Sequence, residues 1–138
     1  MGNTNAMSNE IDELFEKALV GLSPQTASAF FRNIDNKFVY FYSANEIESK
    51  PVTQILKFDS GELLVPFRTI DERNFAVMYT NKATALDNLE PGFTIVKAKA
   101  RQFLDVARNM STVDGVLIQG ASSWFTILLN QLELESSL

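Results

Sequence analysis

The chain has 138 residues, a formal net charge of −5, and neither histidine nor cysteine. Without imidazole or thiol it cannot build a Ser-His or Cys-His nucleophile pair, a histidine general base, an ordinary zinc site, or the common haem and iron–sulfur ligation. The acidic balance disfavours nucleic acid and anionic membrane surfaces as partners, and no disulfide is possible, which points to a reducing cytoplasm.

The first residues, Met1 to Met7, are polar, so 1–8 is expected to be a disordered tail or an artificial leader ahead of a native start at Met7. Nothing there resembles a secretory signal, and no apolar run reaches the roughly 18–20 residues that span a bilayer. Ser8 or Asn9 caps a first helix, along which Ile11, Leu14, Phe15, Ala18 and Leu19 follow at helical spacing. Gly21 ends it. Ser23 and Pro24 open a second helix as cap and first helical residue, with Ala27, Phe30, Phe31 and Ile34 on its apolar face.

The period then changes. Residues 38–42, Phe-Val-Tyr-Phe-Tyr, form a strand, and 45–51 a polar loop. Residues 54–58 and 62–68 flank the turn signal Asp59-Ser60-Gly61 and make a hairpin, with Pro66 marking an edge or a bulge. A second turn at 71–74 leads to a strand over 75–79. Thr80 or Asn81 caps a short helix to Leu86. Residues 93–96 form a strand, and 99–110 a helix with Ala100, Phe103, Leu104, Ala107 and Met110 inward. Val116, Leu117 and Ile118 are a short strand apolar on both faces. Gly120 to Ser123 turns into a final helix over 124–134. The order ααββββαβαβα indicates an α+β fold: one domain over 1–138, with a single mixed, largely antiparallel sheet and helices packed on it. Phe30, Phe31, Phe103, Leu117 and Ile118 are expected in its core.

Candidate chemistry is sparse. Gly120-Ala121-Ser122-Ser123 sits between a buried strand and an expected helix. It lacks the second glycine and the histidine of a nucleophile elbow, so Ser122 or Ser123 reads as a helix cap. A weak anion site at that helix start, built from Gly120, Ser122 and Ser123, is the ligand-binding alternative. Asp71-Glu72 and Glu46-x-Glu48 are acidic pairs without EF-hand spacing and read as solvated loop charge. Lys97, Lys99 and Arg101 read as a solubilising edge rather than a basic site. On the last expected helix, Phe125, Leu128, Leu129 and Leu132 make one apolar stripe, while Trp124, Ile127 and Leu134 lie largely outside it. Trp124 and Ile127 are therefore the expected docking surface for a protein partner or a second copy.

Three segments resemble the N-terminal domain family named after SseB, the bacterial enhanced serine sensitivity protein. Ile11-Asp12-Glu13-Leu14-Phe15-Glu16-Lys17-Ala18, through Pro24 and Phe30-Phe31, is similar to that family's helical start before a "vyv" strand, here Phe38-Val39-Tyr40. Phe75-Ala76-Val77-Met78-Tyr79-Thr80-Asn81 resembles its "lPvFTs" strand running into a short helix. Asp114-Gly115-Val116-Leu117-Ile118-Gln119-Gly120 resembles its "dglvlNPgs" strand and turn. Ala76 stands where the family favours Pro, and Gln119-Gly120-Ala121 replaces Asn-Pro-Gly. The resemblance implies a bacterial α+β domain and carries over no catalytic residue.

Together these readings lead to the expectation of a non-enzymatic, cytoplasmic protein-interaction or regulatory domain, with no cofactor, no metal and no nucleic-acid or membrane partner. The alternative is a domain that binds a small ligand or anion.

Overall fold

A computed structural model describes residues 10–44, 53–58 and 61–132. The expected caps Ser8 and Asn9, the 1–8 tail, the polar loop 45–51 with Glu46 and Glu48, the turn residues Asp59 and Ser60, and Leu134 lie outside these residues.

The first two helices are α1 (Glu10–Val20) and α2 (Pro24–Asn33). The start of α2 follows from its sequence: the Thr26 N–H donates to Ser23 Oγ at 3.2 Å, and the Ser23 N–H donates back to Thr26 Oγ1 at 2.8 Å. This reciprocal cap satisfies donors that the first helical turn leaves open. Strands β1 (Phe38–Ala44), β2 (Thr53–Phe58), β3 (Gly61–Ile70) and β4 (Arg73–Tyr79) come next, then the short helix α3 (Lys82–Asp87). Asn81 caps α3 by accepting the Thr84 N–H at 2.8 Å. Strand β5 (Phe93–Lys99), helix α4 (Ala100–Asn109) and strands β6 (Gly115–Gln119) and β7 (Trp124–Leu128) complete the fold, with a 3₁₀ turn at Leu129–Gln131.

The fold is α+β, with one mixed seven-stranded sheet ordered β2-β3-β1-β4-β6-β7 and β5 paired to β1. Among the described residues only β4 and β6 run parallel, and the other pairings are antiparallel.

The end of the chain corrects the sequence reading. Residues 124–128 form a strand antiparallel to β6, not the start of a helix over 124–134. Phe125, Ile127 and Leu129 satisfy a period of two as well as Phe125, Leu128 and Leu132 satisfy a helical one, so spacing alone could not separate them. Two constraints favour the strand. Trp-Phe-Thr-Ile is rich in β-formers. Strand β6 is buried on both faces, and the backbone groups of its far edge need a partner. The Gly120 N–H closes the hairpin onto Ser123 O at 2.8 Å.

Alternation along the strands divides the sheet into two faces. Val39, Phe41, Ala76, Met78, Val116, Ile118, Phe125 and Ile127 point to the main core, which α1, α2 and α4 cover with Phe15, Phe30, Phe31, Phe103 and Ala107. The five residues expected in the core are all at most 2% exposed, with Leu117 buried on the opposite face. That second face also carries Tyr42, Val77 and Tyr79, and α3 lies against it.

The β3–β4 turn uses Asp71 and Glu72, both in the left-handed region, at φ 52° and 69°. A tight hairpin with two positive φ values prefers Asn-Gly, and a non-glycine residue held there is strained. Glu72→Gly should therefore raise stability by about 0.5–1 kcal/mol after the added freedom of the unfolded chain is deducted. Urea melts of both chains measure this, and a loss of stability would show that contacts of Glu72 outweigh the backbone strain.

Candidate functional site

Strand β1 is paired along its whole length to β5 on one edge, from Phe38–Lys99 to Ala44–Phe93. Its other edge meets β4 at Tyr40–Tyr79, then β3 at Ala44–Leu64. Between those two bridges β1 and β4 part, and β3 enters the gap and pairs with β4 from Phe67–Ala76 onward. Pro66 stands where β3 changes neighbour, a place where a ladder can spare an N–H.

This fork opens a cleft of about 420 Å³ on the second face, within the range of small-molecule sites (about 300–1,000 Å³). Tyr42, Val77 and Tyr79 form its floor. Pro66 and Arg68 of β3 stand on one side, and Asn88 and Glu90 of the α3–β5 connection with Phe93 at the start of β5 on the other. The Tyr42 ring stacks on Tyr79 at an interplanar angle of 29°, with centroids 4.9 Å apart, and lies 5.8 Å from Phe93. An aromatic floor with a few polar groups at the rim suits a ligand with a flat apolar body.

The floor is held in place. The Tyr42 hydroxyl donates to the Ala85 carbonyl of α3 at 2.6 Å. Burial pushes the phenol of Tyr42 well above its ordinary range; a hydrogen bond with Tyr79 and the charge of Glu90 act in the same direction, and Arg68 acts against them. Tyr42 is therefore a neutral donor throughout the physiological pH range. Helix α3 is itself anchored from the other side. The buried Thr80 hydroxyl donates to Asp12 Oδ1 of α1 at 2.7 Å, and Asn81, which caps α3, donates to both oxygens of the same carboxylate.

Two opposite charges sit at the rim. Arg68 and Glu90 both lie near enough to the Tyr42 hydroxyl to act on it electrostatically. Among the described residues the ion pairs are Lys37–Glu10 and Arg101–Asp35, and neither includes Arg68 or Glu90.

The residues singled out from sequence lie elsewhere. Gly120, Ser122 and Ser123 form a turn between two strands. No helix follows, so the helix-start argument for an anion site, and the reading of either serine as a helix cap, fall away. Gly120 is there for packing: a Cβ would overlap the ring of Phe15, which is itself wedged among Phe30 and Phe125. Trp124 is 51% exposed, but Ile127 is only 6% exposed and packs in the core beside Phe125. In a strand, positions 124 and 127 point to opposite faces, so the two cannot form one surface. Asp71 and Glu72 make the hairpin turn described above. Lys97 covers the Phe38 ring at 4.6 Å, and Arg101 pairs with Asp35 at 2.7 Å, so these two basic residues are spent on local contacts.

The cleft residues were not visible as a site beforehand. The signals were the aromatic run Tyr40-Phe41-Tyr42, the proline inside a strand, and Glu90-Pro91-Gly92. Each has an ordinary structural explanation until the fork brings them together. No described helix is long and apolar enough to cross a membrane, and no three Asp or Glu side chains gather into a metal-sized cluster among the described residues.

No family model matches the chain, and neither the curated proteins nor the solved structures yield a match.

Gly120→Ala should cost about 1–3 kcal/mol, because the buried Phe15 ring has no room to withdraw. Ser122→Ala should stay within about 0.5 kcal/mol of the parent, as an exposed turn position does. Thermal and denaturant unfolding measure both, and equal effects would overturn the packing assignment of Gly120.

Proposed function

We propose that this chain is a non-enzymatic, cytoplasmic regulatory domain that binds a small ligand in the cleft between β3 and the α3–β5 connection. One observation carries the reading: the fork in the sheet produces a preformed aromatic-floored cleft whose rim bears Arg68 and Glu90, neither of them in an ion pair among the described residues. The sequence offers no histidine or cysteine for the commonest catalytic devices, which fits recognition better than turnover. Kinship with SseB-like domains belongs to the same proposal. It is supported by the β4 strand running directly into α3, as the motif resemblance implies.

The test is a set of low-molecular-weight aromatic fragments titrated into ¹⁵N-labelled protein. Amide resonances of Tyr42, Arg68, Val77 and Glu90 should shift together. Val77→Phe should fill the cleft and abolish those shifts with the circular dichroism spectrum unchanged. Shifts mapping to another surface, or no shifts with any fragment, would overturn the reading.

A second reading rests on Trp124. A half-exposed tryptophan on β7, the last strand in the sheet order, suits a protein partner or a second copy. Sedimentation velocity over a concentration series separates the cases. Self-association that Trp124→Ser weakens supports this reading, and a parent chain that stays monomeric removes the homodimer.

A further inference from the structure

The chemistry at the rim narrows the ligand class, an inference that rests on the cleft being the binding site. We infer that the cleft recognises a zwitterion with an aromatic body, an aromatic α-amino acid being the simplest member of the class. Three observations converge. The floor is aromatic, with Tyr42 stacked on Tyr79 and Phe93 beside Tyr42, so a flat ring gains contact area over it. Arg68 and Glu90 both line the cleft and bring one charge of each sign to the same opening. Neither is paired within the protein among the described residues.

A simple anion would leave Glu90 facing its negative charge, and a simple cation would leave Arg68 facing its positive one. A neutral ligand would use neither. A zwitterion places its carboxylate on the Arg68 guanidinium, whose planar donors match a carboxylate, and its ammonium on Glu90. The Asn88 side chain lines the same rim; its Nδ2 donates to Thr84 O at 2.9 Å, which leaves its amide oxygen able to accept from the ammonium. Val77 and Tyr79 then meet the ring. Nothing in this arrangement requires covalent chemistry. The ligand is held and released.

The experiment uses four probes that share a phenyl ring: L-phenylalanine, 3-phenylpropanoate, phenethylamine and benzyl alcohol. Each is titrated into ¹⁵N-labelled full-length chain and followed at the amides of Tyr42, Arg68 and Glu90. L-Phenylalanine should bind tightest, by on the order of tenfold over either singly charged probe. Arg68→Gln should weaken L-phenylalanine and 3-phenylpropanoate by about tenfold and leave phenethylamine no weaker. Glu90→Gln should weaken L-phenylalanine and phenethylamine and leave 3-phenylpropanoate no weaker. Both positions are exposed, so the variants should fold as the parent does, and an unchanged thermal midpoint verifies this. Benzyl alcohol binding as tightly as L-phenylalanine, or charge variants without effect, overturns the zwitterion while leaving the cleft as a site. Absence of cleft shifts with all four probes overturns both.

Discussion

Strand β1 has two edges and must serve three partners. Strand β5 takes one edge completely, so β4 and β3 must share the other. They can do so only by meeting β1 at successive points, which keeps β4 away from β1 until Tyr79 and lets β3 in at Leu64. The proline at 66 is tolerated because the ladder is already interrupted there. The cleft is the space this arrangement leaves, and its floor and one wall are strand residues whose backbone geometry the sheet sets. A site built on such elements keeps its shape better than one built on loops alone.

The far end of the sheet shows the same economy of space. Phe15 stacks on Phe125 with centroids 5.5 Å apart and meets Phe30 edge-on at 6.3 Å, and the absent side chain of Gly120 leaves room for its ring. Gly115 plays a similar part where β7 passes, since a Cβ there would press on the Ile127 carbonyl. Such positions make α1, β6 and β7 one packed unit. Through Asp12, α1 also grips Thr80 and Asn81, and Asn81 in turn caps the helix that holds Tyr42. Packing at one end of the molecule is thereby linked, bond by bond, to the floor of the cleft.

The two faces of the sheet have divided the work. The core face is covered by three helices and carries most of the buried phenylalanine. Among the described residues the second face is covered only in part, by the six-residue α3, and there Tyr40 and Tyr42 stay partly exposed while Tyr79 is buried. Tyr rather than Phe occupies positions 40, 42 and 79 there, and each ring keeps a polar tip. That difference in coverage is why the cleft opens on the second face.

Much of the architecture was legible locally. Ser23-Pro24 and Asn81 announced their helices because capping is a contact between residues three apart. The strands over 38–42, 54–58, 62–68, 75–79 and 116–118 were legible because strand-forming residues and turn signals are local too. The α+β class and the phenylalanine core followed from the order of those elements. The last strand was not legible, because 124–129 fits two periods and only the unmet edge of β6 chooses between them. The cleft was not legible for the same kind of reason. Tyr42, Arg68, Val77 and Glu90 are distant in sequence, and each alone reads as an ordinary strand or loop residue. Amino-acid sequence by itself determined the elements, the core-facing residues and the absence of imidazole and thiol chemistry, all of which depend on neighbours a few positions away. Tertiary structure alone decided that β1 would share an edge between two strands, and a gap between strands exists only once three of them compete for the same hydrogen bonds.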